Sequence, residues 1–281
     1  MNQRERKAWI LQTLSSGTFE SIQDAYDVVG GEYQSLEAMP FGLRTLPNHI
    51  RDDFDAGRIS ADVLTTSDPA VSAVLARKGV FVPFKPKNFD KIPDAAKDPN
   101  GQYVAQRLNM MTIYLRTDKV PPAEEPKTWT ELTESKYKGK MVMTDPSFTA
   151  LQVSVVGMMS RERGWGFYEK LRTNDTMIVQ GNQQSSDMVK RGERVIAVGA
   201  LDSYAAEERA AGHPIKTLYP SDGVFVIPSP TAVVKGGPNP NAAKLFAEFM
   251  LSDDVQNIFP ADGGFAARSD IAAPAGSPAL S

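Results

Sequence analysis

The chain has 281 residues, enough for one large α/β unit or two lobes of ordinary size. Hydrophobic residues at 41% and charged residues at 23% are globular values and exclude a disordered chain. A net charge of −3 leaves no electrostatic footprint for nucleic acid, and the lack of cysteine removes disulfides, thiolate zinc sites and cysteine nucleophiles together. No apolar run reaches about 18 residues, so the sequence predicts no membrane span. Met1 to Lys7 is polar and leads into only a short apolar stretch, Ala8 to Leu11, which is no secretory signal. Either the protein is not exported or its numbering begins after a removed signal.

In chain order, Thr18 caps a predicted helix with Phe19, Ile22 and Tyr26 on one face, and Gly30-Gly31 ends it. Glu32 to Met39 reads as a strand, and a helix covers Pro47 to Ala56 before Gly57. Ile59 to Leu64 reads as a short buried strand, after which Thr65-Thr66-Ser67-Asp68-Pro69 turns into a helix through Ala76. Gly79 to Phe84 is apolar, with Pro83 marking a sheet edge or exit, and Pro86 to Gly101 is loop. Met110 to Leu115 is a predicted strand, and the Pro-rich Val120 to Pro126 connects it onward. Thr128 to Leu132 opens a short helix with a capping-box pair, Thr128 and Glu131. Lys140 to Met143 is a strand, from which Asp145 to Thr149 turns into a long apolar helix, Ala150 to Met159. A helix at Trp165 to Leu171, a strand at Met177 to Val179 and a helix at Ser185 to Lys190, closed by Gly192, follow. Arg194 to Val198 is a strand, Ser203 to Ala210 a helix, and Gly223 to Ile227 a strand. Thr231 to Val234 is extended and Asn241 to Leu251 is an amphipathic helix. The tail Ala272 to Ser281 is mostly Ala, Pro, Gly and Ser and is expected to be mobile.

Strands alternating with helices predict α/β layers with largely parallel sheets. Ligands of such sheets sit beyond the carboxyl ends of strands, where loops enter helices. The search for enzyme chemistry comes out thin. His49 and His213 read as surface residues, and the adjacent carboxylates Asp52 with Asp53 and Glu207 with Glu208 read as solvated helix faces. No nucleophile elbow, phosphate-binding glycine loop, dinucleotide fingerprint or metal-ligand spacing is present. Hydroxyl residues do recur where helices begin after strands. The first turn of a helix offers free N–H groups and a positive dipole end, which suit carboxylate or phosphate. Ser147 with Thr149, and Ser185 with Ser186, have this form; each pair also reads as an ordinary cap of its own helix.

Two stretches carry a family resemblance. Pro126-Lys127-Thr128-Trp129-Thr130-Glu131-Leu132, then Lys136-Tyr137-Lys138-Gly139-Lys140-Met141-Val142-Met143-Thr144-Asp145-Pro146, resembles a segment of family 1 extracellular solute-binding proteins. That segment reads roughly P-x-T-W-x-D-L, Y-K-G-K, then D-P. Near the C-terminus, Tyr219-Pro220-Ser221-Asp222-Gly223, Asn239-Pro240-Asn241-Ala242-Ala243-Lys244-Leu245-Phe246, Leu251-Ser252 with Gln256, and Gly263-Gly264-Phe265-Ala266-Ala267-Arg268 are similar to P-x-D-G, N-P-x-A-A-x-x-F, L-S-x-x-x-Q and a closing G-x-x-P-x-R. Val189-Lys190-Arg191-Gly192-Glu193 matches V-x-x-G-E between them. The closing motif lacks its usual proline.

The resemblance runs from about Ile50 to Asp270 and implies the ferric-iron-type branch of the binding proteins of ABC importers. It implies a two-lobed, type II periplasmic-binding-protein fold with two hinge crossings and a ligand cleft between lobes. The crossings are placed near Tyr114 to Thr117 and Ile227 to Thr231, with Pro228 and Pro230 at the second. Lobe one is then residues 1–113 with 229–281, and lobe two is residues 114–228. Trp9 to Leu14 is the choice for the first strand. The ligand residues expected are Ser15, Ser16, Thr65, Thr66, Ser67, Ser147, Thr149, Ser185, Ser186, Asp202 and Tyr204, with no catalytic residue, metal or cofactor. Arg44 or Arg107 is a candidate balancing charge, and Trp165 a candidate packing surface.

The expected role is that of a monomeric periplasmic substrate-binding component, its signal lying outside this sequence, with a small ligand and a membrane permease as partners. The ligand expected is a small organic anion. Iron binders of the branch use two adjacent tyrosines, whereas Ala200-Leu201-Asp202-Ser203-Tyr204-Ala205-Ala206 has one; a ferric member of the family is the alternative. An enzyme of another class, such as a porphobilinogen-deaminase-like transferase, needs a cysteine that is absent here. A ligand-sensing domain of a regulator is a third reading, without an attached DNA-binding segment.

Overall fold

The computed structural model describes residues 52–280. Within them the chain divides into two compact units: the first is Met110–Phe225, and the second is 52–109 with 226–280. The sequence expectations for Trp9 to Leu14, Ser15 to Tyr26, Glu32 to Met39, Arg44 and His49 lie outside the described residues; of the helix expected at Pro47 to Ala56, residues 52–56 are described, 52–55 as helix and 56 as a turn.

The first unit is built on the end of strand β2 (Val104–Arg116) with β3 (Met141–Thr144), β4 (Met177–Val179), β5 (Ile196–Leu201) and β6 (Ile215–Leu218). β3 runs parallel to both β4 and β5, while β2 pairs antiparallel with β5 and with β6. Helices α2 (Ala150–Arg163), α3 (Gly166–Thr173), α4 (Asn182–Arg191) and α5 (Asp202–Ala210) follow the strands. Every residue of β3 and of β5 is buried, so these strands read as unbroken apolar runs and not as alternating ones. Tyr114, Val142, Val179, Met188, Val189, Ala197, Ala200, Ala205 and Ile215 form one buried cluster between sheet and helices.

The ladder between β2 and β5 slips at one point. Thr112 faces Ala200 and Ile113 faces Val198, which leaves Gly199 as the extra residue of a bulge. Its φ of 60° is left-handed, a conformation that glycine adopts without steric cost.

The second unit holds β1 (Val63–Thr65), the start of β2, β7 (Phe225–Val233, whose first residue belongs to the other unit) and β8 (Phe265–Ala266). β1 pairs antiparallel with β7, and β8 with Arg107 and Leu108 of β2. Helix α1 (Pro69–Arg77) is capped by Asp68, whose carboxylate accepts from the N–H groups of Ala70 and Val71, with Pro69 at the first turn. α6 (Pro240–Met250) packs Ala243 and Ala247 on Val233, and α7 (Asp253–Ala261) starts at the Ser252 cap.

Several expectations need correction. The sheet is mixed, and antiparallel pairings predominate, because the long strands β2 and β7 run against their neighbours. The two extended pieces at Gly223 to Ile227 and Thr231 to Val234 are one strand that runs through Pro228 and Pro230. Pro230 O accepts from Thr66 N, but a proline has no N–H to return the bond, so the β1 ladder stops at Thr65. Gly79 to Phe84 forms no strand, only a bridge from Phe81 to Val234. The Thr128 helix is a single 3₁₀ turn, Thr130–Thr133; Glu131 N donates to Thr128 Oγ1, but the Glu131 carboxylate returns to Lys127 N. The helix expected at Ser185 begins three residues earlier, at Asn182. Glu208 is buried and not solvated, pairing with Lys190 at 3.0 Å and His213 at 3.4 Å. β6, α7 and β8 had no sequence expectation.

Candidate functional site

Because β3, β4 and β5 are parallel, their carboxyl ends share one edge of the first unit. There β3 leads through Asp145 to α2, β4 through Gly181 to α4, and β5 directly into α5.

At the first of these connections, Ser147 donates its N–H to Asp145 Oδ1 at 2.7 Å, while its buried hydroxyl has no hydrogen-bond partner in the protein. Thr149 is the N-cap of α2, yet its side chain makes no capping bond; its hydroxyl donates to Asp145 O at 3.3 Å. The first turn of α2 therefore presents N–H groups that its own cap does not occupy.

At the second connection, Ser185 and Ser186 are 1% and 0% exposed, and neither hydroxyl has a hydrogen-bond partner of ordinary geometry. They are not in the first turn as the sequence suggested: Ser185 N already donates to Gly181 O. Asn182 opens the helix instead, and its Oδ1 accepts from Thr144 Oγ1 at 3.1 Å, tying the end of β3 to the start of α4. Thr144 and Asn182 escaped the sequence reading, although both sit beside residues it named. The phenol of Tyr114, on β2, lies against Ser185 and Ser186. Burial pushes it up to about 12, with the two serine hydroxyls pulling the other way.

At the third connection, Asp202 is buried as the first residue of α5 and Tyr204 is half-buried in the same turn. The first unit thus brings Ser147, Thr149, Ser185, Ser186, Asp202 and Tyr204 to one end of its sheet. In the second unit, Thr65 and Thr231 pair their hydroxyls at 2.9 Å, and Thr66 Oγ1 accepts from Asp68 N at 3.1 Å. Those contacts join β1 to β7 and set up the cap of α1, while Ser67 is half-buried between them. Arg107 stacks on Phe259, and Trp165 packs at 5.9 Å from Tyr168. Ser15 and Ser16 lie outside the described residues. Among the described residues no three His, Asp or Glu side chains converge as a metal group, and no helix is long and apolar enough to cross a membrane.

In the first unit, hydroxyl residues thus gather where helices begin at the carboxyl edge of parallel strands, the edge at which α/β sheets bind ligands. Residues 59–280 match the bacterial extracellular solute-binding proteins, and the chain belongs to that family. It is similar to an uncharacterized protein of Haemophilus influenzae, 29% identical over 205 residues, which cover 69% of this chain and 58% of the relative. It is also similar to a putative 2-aminoethylphosphonate-binding periplasmic protein of Salmonella typhimurium, 24% identical over 222 residues, or 75% of this chain and 64% of the relative. The chain therefore spans about 58–64% of the length of these relatives. Among solved structures, iron-bound HitA from Pseudomonas aeruginosa superposes with a TM-score of 0.71 at 20% identity, covering 84% of this chain and 78% of that one. The shared fold is the two-lobed periplasmic-binding-protein fold expected from the sequence.

Proposed function

We propose that the chain is the substrate-binding component of an ABC importer in the periplasm, delivering a small organic anion to a membrane permease without chemical change. The observation that carries this reading is the buried, unpartnered hydroxyl of Ser147 beside the uncapped first turn of α2, with the buried hydroxyls of Ser185 and Ser186 held against Tyr114 at the neighbouring helix. A buried hydroxyl without a partner costs about 1–3 kcal/mol, which favours occupation of this edge by a ligand's oxygen atoms. Ferric iron fits less well. It prefers several hard anionic oxygen ligands, and the stretch Ala200 to Ala206 carries a single tyrosine, Tyr204. A thermal-shift screen of phosphonates, carboxylates, sugars, amines and ferric citrate tests the reading. A ligand at a hundred times its Kd adds about 2.7 kcal/mol, or roughly 5–10 °C for a chain of this size. The shift is expected with a phosphonate or carboxylate and is expected to vanish when Ser185 and Ser186 are both changed to alanine. A shift that follows the ferric ion and not the citrate would overturn the anion reading.

Capture by hinge closure belongs to the same proposal, with crossings near Tyr114 to Thr117 and Ile227 to Thr231, between lobe one (1–113 with 229–281) and lobe two (114–228). A helix N-terminus contributes about 0.3–2 kcal/mol to an anion, whereas a micromolar Kd corresponds to about 8 kcal/mol. One helix start is too weak alone. Small-angle scattering is expected to show a smaller radius of gyration at saturation; an unchanged radius would argue against closure.

A further inference from the structure

A buried carboxamide of the first unit is left without a hydrogen-bond partner by the fold. Gln152, the third residue of α2, is 0% exposed, and neither its Nε2 nor its Oε1 has a hydrogen-bond partner in the protein. Its neighbours in the helix, Leu151, Val153, Val155 and Val156, are all buried apolar residues. On packing grounds alone, leucine or methionine fits such a position better than a carboxamide, because a buried amide without partners keeps its full desolvation cost.

The side chain lies against the bulge of β5. A Cβ on Gly199 would come within 3.0 Å of Gln152 Nε2 and 3.1 Å of Val155 Cγ1, so the missing side chain of Gly199 makes room for the amide. Bulges redirect the strand that carries them, and this one falls three residues before Asp202. Gln152 and Gly199 therefore meet at the end of β5 from which Asp202 and Tyr204 depart, and Gln152 follows Ser147 by five residues on the other connection. Among the described residues, the buried side chains of this unit include no lysine or arginine; beside the carboxylates of Asp145, Asp202 and Glu208, its buried polar groups are neutral hydroxyls and carboxamides, Gln152 among them.

We infer that Gln152 is a specificity-determining residue of the solute site, its carboxamide pairing with a neutral group of the ligand that both donates and accepts, such as a hydroxyl, carried beside the anionic group. This rests on the solute-capture reading given above. A carboxamide has one acceptor and two donors, which a hydroxyl satisfies and a methyl does not. A site built to hydrogen-bond a hydroxyl rejects the analogue without one, because its own buried groups are then left unpaired.

The test uses matched probes: lactate with propionate, and 2-hydroxyethylphosphonate with ethylphosphonate, titrated calorimetrically into the full chain and into Gln152→Leu and Gln152→Met. In the unaltered protein the hydroxylated member of at least one pair is expected to bind tenfold or more tightly. In both variants that preference is expected to disappear while the ethyl or propionate partner keeps its affinity. A preference that survives in both variants would overturn the inference. The ligand-free proteins give a second readout that does not depend on any probe binding. Both variants are expected to melt at or above the temperature of the unaltered chain, since they remove an unpaired amide and keep its volume. A fall of several degrees in both would show that the amide is satisfied inside the fold, and the inference would fail whatever the solute screen had found. If no probe binds and the melting temperatures rise, the solute reading of these anions fails while the unpaired amide stands.

Discussion

Replacing Trp129 by alanine is expected to lower stability by about 3–5 kcal/mol, the usual cost of truncating a large buried aromatic. The melting temperature of the first unit should fall by roughly 6–20 °C. Trp129 is 1% exposed, its ring lies 5.5 Å from that of Phe225, and its indole N–H donates to Gly223 O at 2.8 Å. Its backbone N–H donates to both carboxylate oxygens of Asp222 at 3.2 Å, and Asp222 also holds Arg163 at 2.9 Å. The residue therefore fastens the connection between β2 and β3 to the segment that enters β7. Trp129→Phe separates the two contributions. It keeps most of the buried ring and loses the bond to Gly223, so a smaller loss of about 1–2 kcal/mol is expected. Equal losses for the two variants would show that the hydrogen bond, and not the packing, dominates. A loss below about 1 kcal/mol for the alanine variant would mean that Trp129 does not hold this connection together.

That role explains what the sequence could and could not reveal. The T-W and P-x-D-G motifs were visible as a resemblance, and in the structure they are the two sides of one junction, Trp129 bonded to Asp222 and Gly223. Motifs of this kind locate a fold, because they are its fastenings, and they say little about the ligand. Helices α1 to α6 and the strands β3, β4 and β5 were legible to within a few residues, because buried strands and capped helices write themselves as apolar runs ended by glycine or a hydroxyl residue. β7 was not, because Pro228 and Pro230 look like breaks in a linear reading. Their missing N–H groups fall on the side where β1 has already ended, which a sequence does not show. The candidate site was half legible. Ser147, Ser185 and Ser186 are legible as ligand candidates at helix starts, but that their buried hydroxyls cap nothing is not. Gln152 does not stand out in the sequence of an apolar helix. Only the three-dimensional pairing with Gly199 sets it apart, since the bulge depends on the register between two strands about 90 residues apart.

Gln256→Leu is expected to be comparably damaging in the second unit, lowering its stability by about 3–5 kcal/mol although the substitution adds no charge and changes little volume. Gln256 is 0% exposed and uses both ends of its amide. Nε2 donates to Gln106 O at 2.8 Å and to Met250 O at 2.7 Å, and Oε1 accepts from Ala267 N and Arg268 N, each at 3.1 Å. One side chain thus joins α7, the end of α6, the start of β2 and the segment after β8. Arg268 continues the junction from a buried position, donating to Leu251 O at 3.0 Å, to Asp253 at 2.5 Å and to Asp270 at 2.8 and 2.9 Å. Its guanidinium and Lys91 hold the Asp270 carboxyl well below the usual carboxylate range. Leucine at position 256 would leave four backbone groups without their partner, two of them N–H groups buried in this junction. A buried donor left unsatisfied costs about 1–3 kcal/mol, and the two carbonyls can recover part of their loss from solvent. Urea denaturation should show a lower midpoint, and hydrogen exchange should show faster loss of protection at the Ala267 and Arg268 amides than at residues of α1. Contrast this with Gln152, where the same replacement is expected to leave stability intact or raise it. The two glutamines are equally buried, and only the presence or absence of partners in the protein separates them, so a large loss at 256 beside none at 152 is the outcome this bonding requires. Equal losses at both would contradict it.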